Sequence, residues 1–174
     1  MKESGINAQF VLIRSPALSE LPSVVKYGNI SLISELSVIE KLSEESIRQN
    51  KKLGIILMVE MGDLREGIMP KDLHNLVNRV LRLKGIELCG IGTNFKCFAG
   101  VVPDERNMKE FSIIVERIQK KSGLKFNFVS GGNSANYDWL MSTKNIGLVN
   151  NLRLGTAILL GYGGINEDPI PGLY

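Results

Sequence analysis

Short apolar runs alternate with longer amphipathic stretches along almost the whole chain, and this alternation limits the possible folds more than any other feature. It predicts strands over residues 10–14, 30–33, 54–60, 86–92, 125–130 and 148–153. It predicts helices over residues 19–27, 35–50, 70–83, 104–121, 134–142 and 156–160. Strict alternation of this kind is typical of α/β proteins, in which right-handed crossovers join parallel strands.

The composition excludes several classes of protein. Of the 174 residues, 44% are hydrophobic and 22% are charged, which is typical of a globular domain rather than a disordered chain. A net charge of +3 gives no sign of nucleic-acid binding. The longest apolar runs, such as residues 55–59, are too short to span a membrane. We therefore expect one domain over residues 1–174.

The cysteine and histidine content bears on location and metal binding. The chain has two cysteines, Cys89 and Cys97, and one histidine, with no CxxC motif. Sparse cysteines and an N-terminus without an apolar leader are typical of cytoplasmic proteins. We expect a cytoplasmic protein without a metal site, in which Cys97 is a packed thiol.

Glycine-rich and polar clusters decide between an open doubly wound sheet and a (β/α)8 barrel. No GxGxxG motif follows the first predicted strand, as a dinucleotide-binding open sheet would require. The clusters instead follow later strands, at residues 61–67, 92–96, 130–136 and 153–156. Loops at the carboxyl ends of barrel strands share one face, where barrel enzymes bind their substrates. We therefore predict a partial (β/α)8 TIM barrel.

Two of these clusters have the features of a phosphate site. Residues 130–134 and 155–156 each combine glycine with a hydroxyl side chain at the start of a predicted helix, where free N–H groups favour anions. Barrel phosphate sites are often formed after strands 7 and 8. On that rule the six strands correspond to barrel strands 3 to 8, and the chain is incomplete at its start. Alternatively, Asn133 and Ser134 form only a turn and a helix cap.

The sequence resembles the alanine racemase superfamily of pyridoxal 5′-phosphate (PLP) barrels, and most closely its alanine/ornithine racemase branch. Residues 57–67, 90–94, 130–136, 152–161 and 169–174 carry the resemblance. It implies PLP as the cofactor and the interconversion of L- and D-amino acids, with ornithine or alanine as the substrate. It also implies a homodimer of which this chain is a fragment.

The resemblance assigns the phosphate and the pyridine ring to four residues. Ser134, Gly155 and Thr156 match the positions that bind the phosphate, and Arg153 matches the arginine that faces the pyridine nitrogen. A guanidinium does not readily give up a proton, so a pyridine nitrogen opposite it stays largely unprotonated. The alternative for Arg153 is a strand-end side chain directed to solvent.

Two further positions are assigned on the same basis. Arg65 matches the arginine that reaches toward the phenolic oxygen of the cofactor, and its alternative is a solvated loop residue. Asn94 occupies the position where typical alanine racemases place a histidine against the cofactor ring. This departure leaves a turn-forming role for Asn94 open.

The catalytic groups of the family have no counterpart in this sequence. The resemblance places the Schiff-base lysine on barrel strand 1 and the second base, a tyrosine, in a C-terminal domain of the partner subunit. Tyr174 is not that tyrosine. Lys96 is the one lysine just past a predicted strand end and so the one candidate to replace the Schiff-base lysine. We do not expect it to do so, because a Schiff-base amine must be desolvated and directed at the cofactor, and an ordinary loop lysine is neither. We expect the chain alone to be inactive; the alternatives are a non-catalytic PLP carrier and an unrelated phosphate-binding barrel.

Overall fold

The strands of the central sheet are neighbours in the same order as they occur along the chain, and all are parallel. The computed structural model describes residues 4–96 and 100–173, so Cys97 and Tyr174 lie outside the described residues. The strands are β1 (Val11–Leu12), β2 (Ile30–Ile33), β3 (Leu53–Val59), β4 (Ile86–Thr93), β5 (Phe128–Asn133) and β6 (Asn151–Arg153).

Helices connect successive strands, as the alternating pattern predicts. They are α1 (Leu21–Tyr27), α2 (Leu36–Arg48), α3 (Leu73–Val80), α4 (Glu105–Ser122), α5 (Tyr137–Ser142) and α6 (Thr156–Leu160). Short 3-10 helices occupy Leu18–Glu20 and Ser134–Asn136, and a small antiparallel pair, β7 (Tyr162–Gly163) with β8 (Asp168–Pro169), follows α6. No helix in the described part of the chain is long and apolar enough to cross a bilayer.

The strand order places the helices on one side of the sheet. Right-handed crossovers that always move in the same direction bring every helix to the same face. The main core accordingly joins helix residues such as Leu42, Val77 and Phe111 to sheet residues such as Leu57 and Ile91. A separate cluster on the sheet contains no helix residue; its members are Ile30, Leu32, Ile56 and Met58, with Phe128 packed against them. The sheet is therefore singly wound, as the prediction of a barrel requires, and the α/β class is confirmed.

Most elements differ from their predicted bounds at the ends. Residues 30–33 and 156–160 form β2 and α6 as predicted, whereas α3 is shorter than the predicted 70–83. The predicted helices 19–27 and 134–142 both begin with a 3-10 helix. The pair β7 and β8 was not predicted, because two-residue strands carry no alternating pattern.

The glycine-rich segment after residue 129 is a correction. We predicted a strand over 125–130 followed by a loop, but β5 starts at Phe128 and continues to Asn133. Gly131 and Gly132 lie buried within the strand. A Cβ atom on Gly132 would collide with the side chain of Asn136, and the Asn136 amide donates to Gly131 O at 3.1 Å. These glycines therefore allow close packing inside a strand instead of forming a loop.

The ends of the helices follow ordinary capping rules. Asp104 caps α4, since its Oδ1 accepts a hydrogen bond from Asn107 N at 2.8 Å. Gly123 ends the same helix in a left-handed conformation, with φ of 71°. Gly54, by contrast, lies inside β3, where an added Cβ would be 2.7 Å from Cys89 Sγ.

We predict that Gly90→Ala strongly destabilises the protein. Gly90 lies in β4, and an added Cβ would overlap Phe128 O of the neighbouring strand, so β4 and β5 must move apart. Overpacking of this kind costs about 1–3 kcal/mol. Urea unfolding monitored by circular dichroism measures the loss. Gly155→Ala is the matched control, because an added Cβ there meets nothing within 4 Å. Equal unfolding free energies for the two variants would contradict the prediction.

Candidate functional site

A cavity of about 350 Å³ lies at the carboxyl ends of β5 and β6. Four of the predicted cofactor-binding residues line it together: Ser134, Arg153, Gly155 and Thr156. Lys96 lines the same cavity, with a left-handed backbone at φ of 43°. The fold therefore brings both predicted phosphate-binding segments and the predicted pyridine-facing arginine to one place. A larger groove, of about 630 Å³, runs between β1 and α1 and contains none of the predicted site residues.

The Ser134 hydroxyl is held by two backbone amides. Its oxygen accepts hydrogen bonds from Gly155 N at 3.1 Å and from Ala157 N at 3.2 Å. A hydroxyl has two lone pairs and one proton, so these bonds leave the proton to be donated. The side chain is thus prepared to donate to an anionic oxygen in the cavity.

The turn that carries Ser134 is fixed by Asn133. The Asn133 Oδ1 accepts from Ala135 N at 2.9 Å and caps the 3-10 helix. Its Nδ2 donates to Asn94 Oδ1 at 2.9 Å and to Phe95 O at 3.0 Å, which ties the end of β5 to the end of β4. The cap that we considered as an alternative to a ligand site is therefore present, and it positions the hydroxyl that faces the cavity.

Arg153 points into the site, so the alternative of a solvent-directed side chain is wrong. Its Nη1 donates to Ser130 Oγ at 2.6 Å, and its Nη2 donates to Thr93 O at 2.8 Å. Burial lowers the pKa of Arg153 to about 10, while the negative charge of Glu66 opposes this shift. The guanidinium therefore keeps its proton at neutral pH and presents a buried positive charge.

Asn94 is buried, and it connects the arginine to an acidic residue. Its Oδ1 accepts from Arg153 Nη2 at 3.3 Å, and its Nδ2 donates to Asp63 Oδ2 at 3.3 Å. Asp63 was not predicted as a site residue. It lies in the glycine-containing cluster after β3, but nothing in the local pattern shows that its carboxylate is buried.

Arg65 lies in the loop between β3 and α3, near Arg153 but not on the cavity wall. Its Nη2 forms an ion pair with Glu66 Oε1 at 2.6 Å, and 42% of its side chain is exposed. Its positive charge contributes to lowering the pKa of Arg153, which places the two guanidinium groups within electrostatic reach of each other. A contact between Arg65 and the cofactor stays a prediction.

Comparison with known sequences identifies the family. A family model described as alanine racemase, N-terminal domain, matches residues 1–163. A lysine racemase of Thermotoga maritima is 35% identical over 99% of this chain and 48% of its own length. An ornithine racemase of Acetoanaerobium sticklandii is 34% identical over 96% of this chain and 50% of its own length. The chain thus spans about half the length of the curated relatives it matches.

Comparison with solved structures identifies the fold. An alanine racemase of Clostridium difficile, in complex with cycloserine, superposes with a TM-score of 0.78 at 18% identity, over 98% of this chain and 46% of that one. PipY of Synechococcus elongatus with PLP bound gives a TM-score of 0.72 at 14% identity, over 88% of this chain and 71% of that one. These similarities confirm the predicted partial TIM barrel. Together with the family model, they show that the chain belongs to the family of alanine racemase N-terminal domains.

Proposed function

We propose that this chain binds PLP as the cofactor-holding barrel domain of an amino-acid racemase. The observation that carries the proposal is the Ser134 hydroxyl, held by two amides with its proton free, in one cavity with the Arg153 guanidinium. Family membership and the relatives that are lysine and ornithine racemases support it. The neighbour PipY, whose structure contains PLP, supports the choice of cofactor.

The residues present fit the chemical groups of PLP. The cavity volume of about 350 Å³ lies within the usual range for small-molecule sites. Ser134 and the backbone amide of Thr156 would hold the phosphate, because hydroxyl and amide donors suit an anion. The Gly155 amide donates to Ser134 Oγ and would hold that hydroxyl in place for the phosphate. Arg153 would face the pyridine nitrogen, and Arg65 would face the phenolic oxygen.

The residues around the cofactor influence which reaction it would support. Bound PLP supplies an electron sink that makes the Cα proton of an amino acid more acidic. Arg153 donates hydrogen bonds and cannot accept one, so it keeps a pyridine nitrogen opposite it unprotonated and weakens that sink. With PLP bound, this weaker electron sink would favour return of a proton to the Cα atom over transamination, as racemisation requires.

The substrate that we propose is ornithine or a similar basic amino acid, with alanine as the second choice. The two curated relatives reported above are named lysine racemase and ornithine racemase, which supports a substrate with a basic side chain. We also propose that the intact enzyme is a homodimer. The lysine that binds the cofactor and the second base would come from segments not matched by this chain.

A non-catalytic PLP carrier is the second candidate function. It is supported by the PLP-bound neighbour PipY, of which this chain covers 71%, a larger share than the 48% and 50% that it covers of the lysine and ornithine racemases. Both candidates predict reversible PLP binding by the chain alone, so binding does not separate them. Turnover of an amino acid by a complete barrel does separate them, because the racemase predicts it and the carrier does not.

We predict that Ser134→Ala weakens PLP binding at least tenfold. The variant removes a hydrogen bond to an anion, which is worth about 1.5–3 kcal/mol. Titration of the chain with PLP, followed by absorbance, measures the dissociation constant. Ser142→Ala is the matched control, because the Ser142 hydroxyl bonds only to carbonyl groups of its own helix, at 2.7 Å and 3.3 Å. Equal affinities for the two variants would contradict a phosphate site at Ser134.

The same variant has a stability effect that does not depend on a ligand. Removing the Ser134 hydroxyl leaves Gly155 N and Ala157 N without their acceptor. We expect a loss of about 1–3 kcal/mol in the free energy of unfolding, measured with urea in the absence of PLP.

We predict that Arg153→Gln raises the pKa of the pyridine nitrogen in bound pyridoxine 5′-phosphate. A positive guanidinium disfavours a pyridinium, and a neutral amide does not. Absorbance spectra recorded against pH give the pKa in the complex. Arg79→Gln, which removes a surface ion pair with Glu40, serves as the control and should leave the pKa unchanged. A bound nitrogen that titrates alike in wild type and Arg153→Gln would contradict the assignment.

A chimera tests the racemase itself. In it, this chain replaces the matched half of the Thermotoga maritima lysine racemase, and chiral chromatography follows lysine and ornithine. We expect racemisation by the chimera and none by the chain alone. A chimera that binds PLP without turnover favours the carrier. Covalent capture of PLP by the chain alone after borohydride, located at Lys96 by mass spectrometry, would contradict our expectation for that lysine.

A further inference from the structure

Asp63 is a buried carboxylate that the proposed function leaves without a role. It follows β3 in the loop to α3, and 1% of its surface is exposed. Burying a carboxylate away from water is costly unless hydrogen bonds compensate it. One of its contacts is the amide of Asn94, whose Nδ2 lies 3.3 Å from Asp63 Oδ2. The position of this contact, one side chain away from Arg153, suggests a function.

The carboxylate determines which way the Asn94 amide points. The two ends of an asparagine amide have the same shape, but one end donates and the other accepts. Asp63, when ionised, only accepts, whereas Arg153 Nη2 and Asn133 Nδ2 only donate. If the Asn94 amide were flipped, its oxygen would face the Asp63 carboxylate, and its NH₂ group would face the donors of Arg153 and Asn133. Asp63 therefore holds the Asn94 oxygen toward Arg153 and Asn133.

Arg153 depends on neutral acceptors for its placement. Its guanidinium donates hydrogen bonds to the Thr93 carbonyl, the Ser130 hydroxyl and the Asn94 oxygen. None of the ion pairs found in residues 4–96 and 100–173 involves Arg153. Through Asn94, the negative charge of Asp63 polarises an oxygen that faces the guanidinium.

The Asn94 oxygen is also connected to the side of the cavity where the phosphate would bind. The Asn94 oxygen accepts from Asn133 Nδ2 at 2.9 Å, and Asn133 caps the turn that carries Ser134. One oriented amide therefore supports both the arginine and the serine turn.

We propose that Asp63 is a positioning residue, which through Asn94 fixes Arg153 and, through Asn133, the turn of Ser134. The proposal rests on the proposed function for what Arg153 and Ser134 do with a ligand, but not for their placement. Asp63 acts on the site through Asn94 and does not need to contact the ligand itself.

The variant Asp63→Asn removes the charge and keeps the shape. An amide at this position can accept or donate, so it no longer sets the direction of Asn94. In the protein without ligand, we expect the side-chain NMR signals of Asn94 and Arg153 to split or broaden. With pyridoxine 5′-phosphate, we expect about tenfold weaker binding and a pyridine nitrogen pKa shifted in the same direction as in Arg153→Gln.

The double variant Asp63→Asn with Asn94→Asp is the matched test. It exchanges amide and carboxylate while keeping the total charge. The new carboxylate accepts from Arg153 and Asn133, and the new amide at position 63 donates to it. We expect single, sharp Arg153 signals and ligand affinity within about threefold of wild type. If Asp63→Asn alone does not fold, this variant carries the test.

Asp104→Asn is the control for general effects of removing an acidic residue. Asp104 caps α4 and lies outside the site, so its variant should leave the Arg153 signals and the ligand affinity unchanged. Arg153 signals that are unaltered in Asp63→Asn, or lost in the double variant although it folds, would overturn the positioning role. If wild type does not bind the ligand but Asp63→Asn alters the Arg153 signals, the proposed function fails and the positioning role stands.

Discussion

The geometry of the site depends on the hydrogen bonds of one side chain, that of Arg153. The residue belongs to β6, and its guanidinium reaches Ser130 of β5 and the Thr93 carbonyl of β4. A planar group with donors in several directions is suited to join three strands in this way. The backbone pairing between β5 and β6 contributes little to the position of Arg153, because the two strands pair at two positions with an irregular register between them. The walls of the cavity are therefore held in place largely by a charged side chain.

Much of the fold could be predicted because its pattern is local. The run that forms β2 is bounded by Gly28 and Asn29 on one side and Ser34 on the other, so both ends were visible in the sequence. The glycines of β5 could not be placed in the same way, because glycine indicates a loop in any local pattern. The buried side chain of Asn136 fills the space beside Gly132, and Val149 and Met108 fill the space beside Gly131, which explains why both glycines belong to a strand.

The site was predictable where topology alone determines it. Parallel strands carry their carboxyl ends to one edge, so Ser134 and Arg153 were expected to be close, and they line one cavity. The connection from Asp63 through Asn94 to Asn133 could not be predicted, because its hydrogen bonds span 31 and 39 residues of sequence. Whether an asparagine side chain binds a ligand, forms a turn or links two charges depends on which donors face it.

The short length of β6 has a consequence for dynamics. β6 contains three residues and pairs with β5 at two positions, so its opening should require less free energy than that of β3 or β4. A ligand that needs Arg153 in place can bind only while β6 is closed onto β5. Occupancy and closure are then thermodynamically linked, and saturation should slow amide hydrogen exchange in β6 far more than in the centre of the sheet.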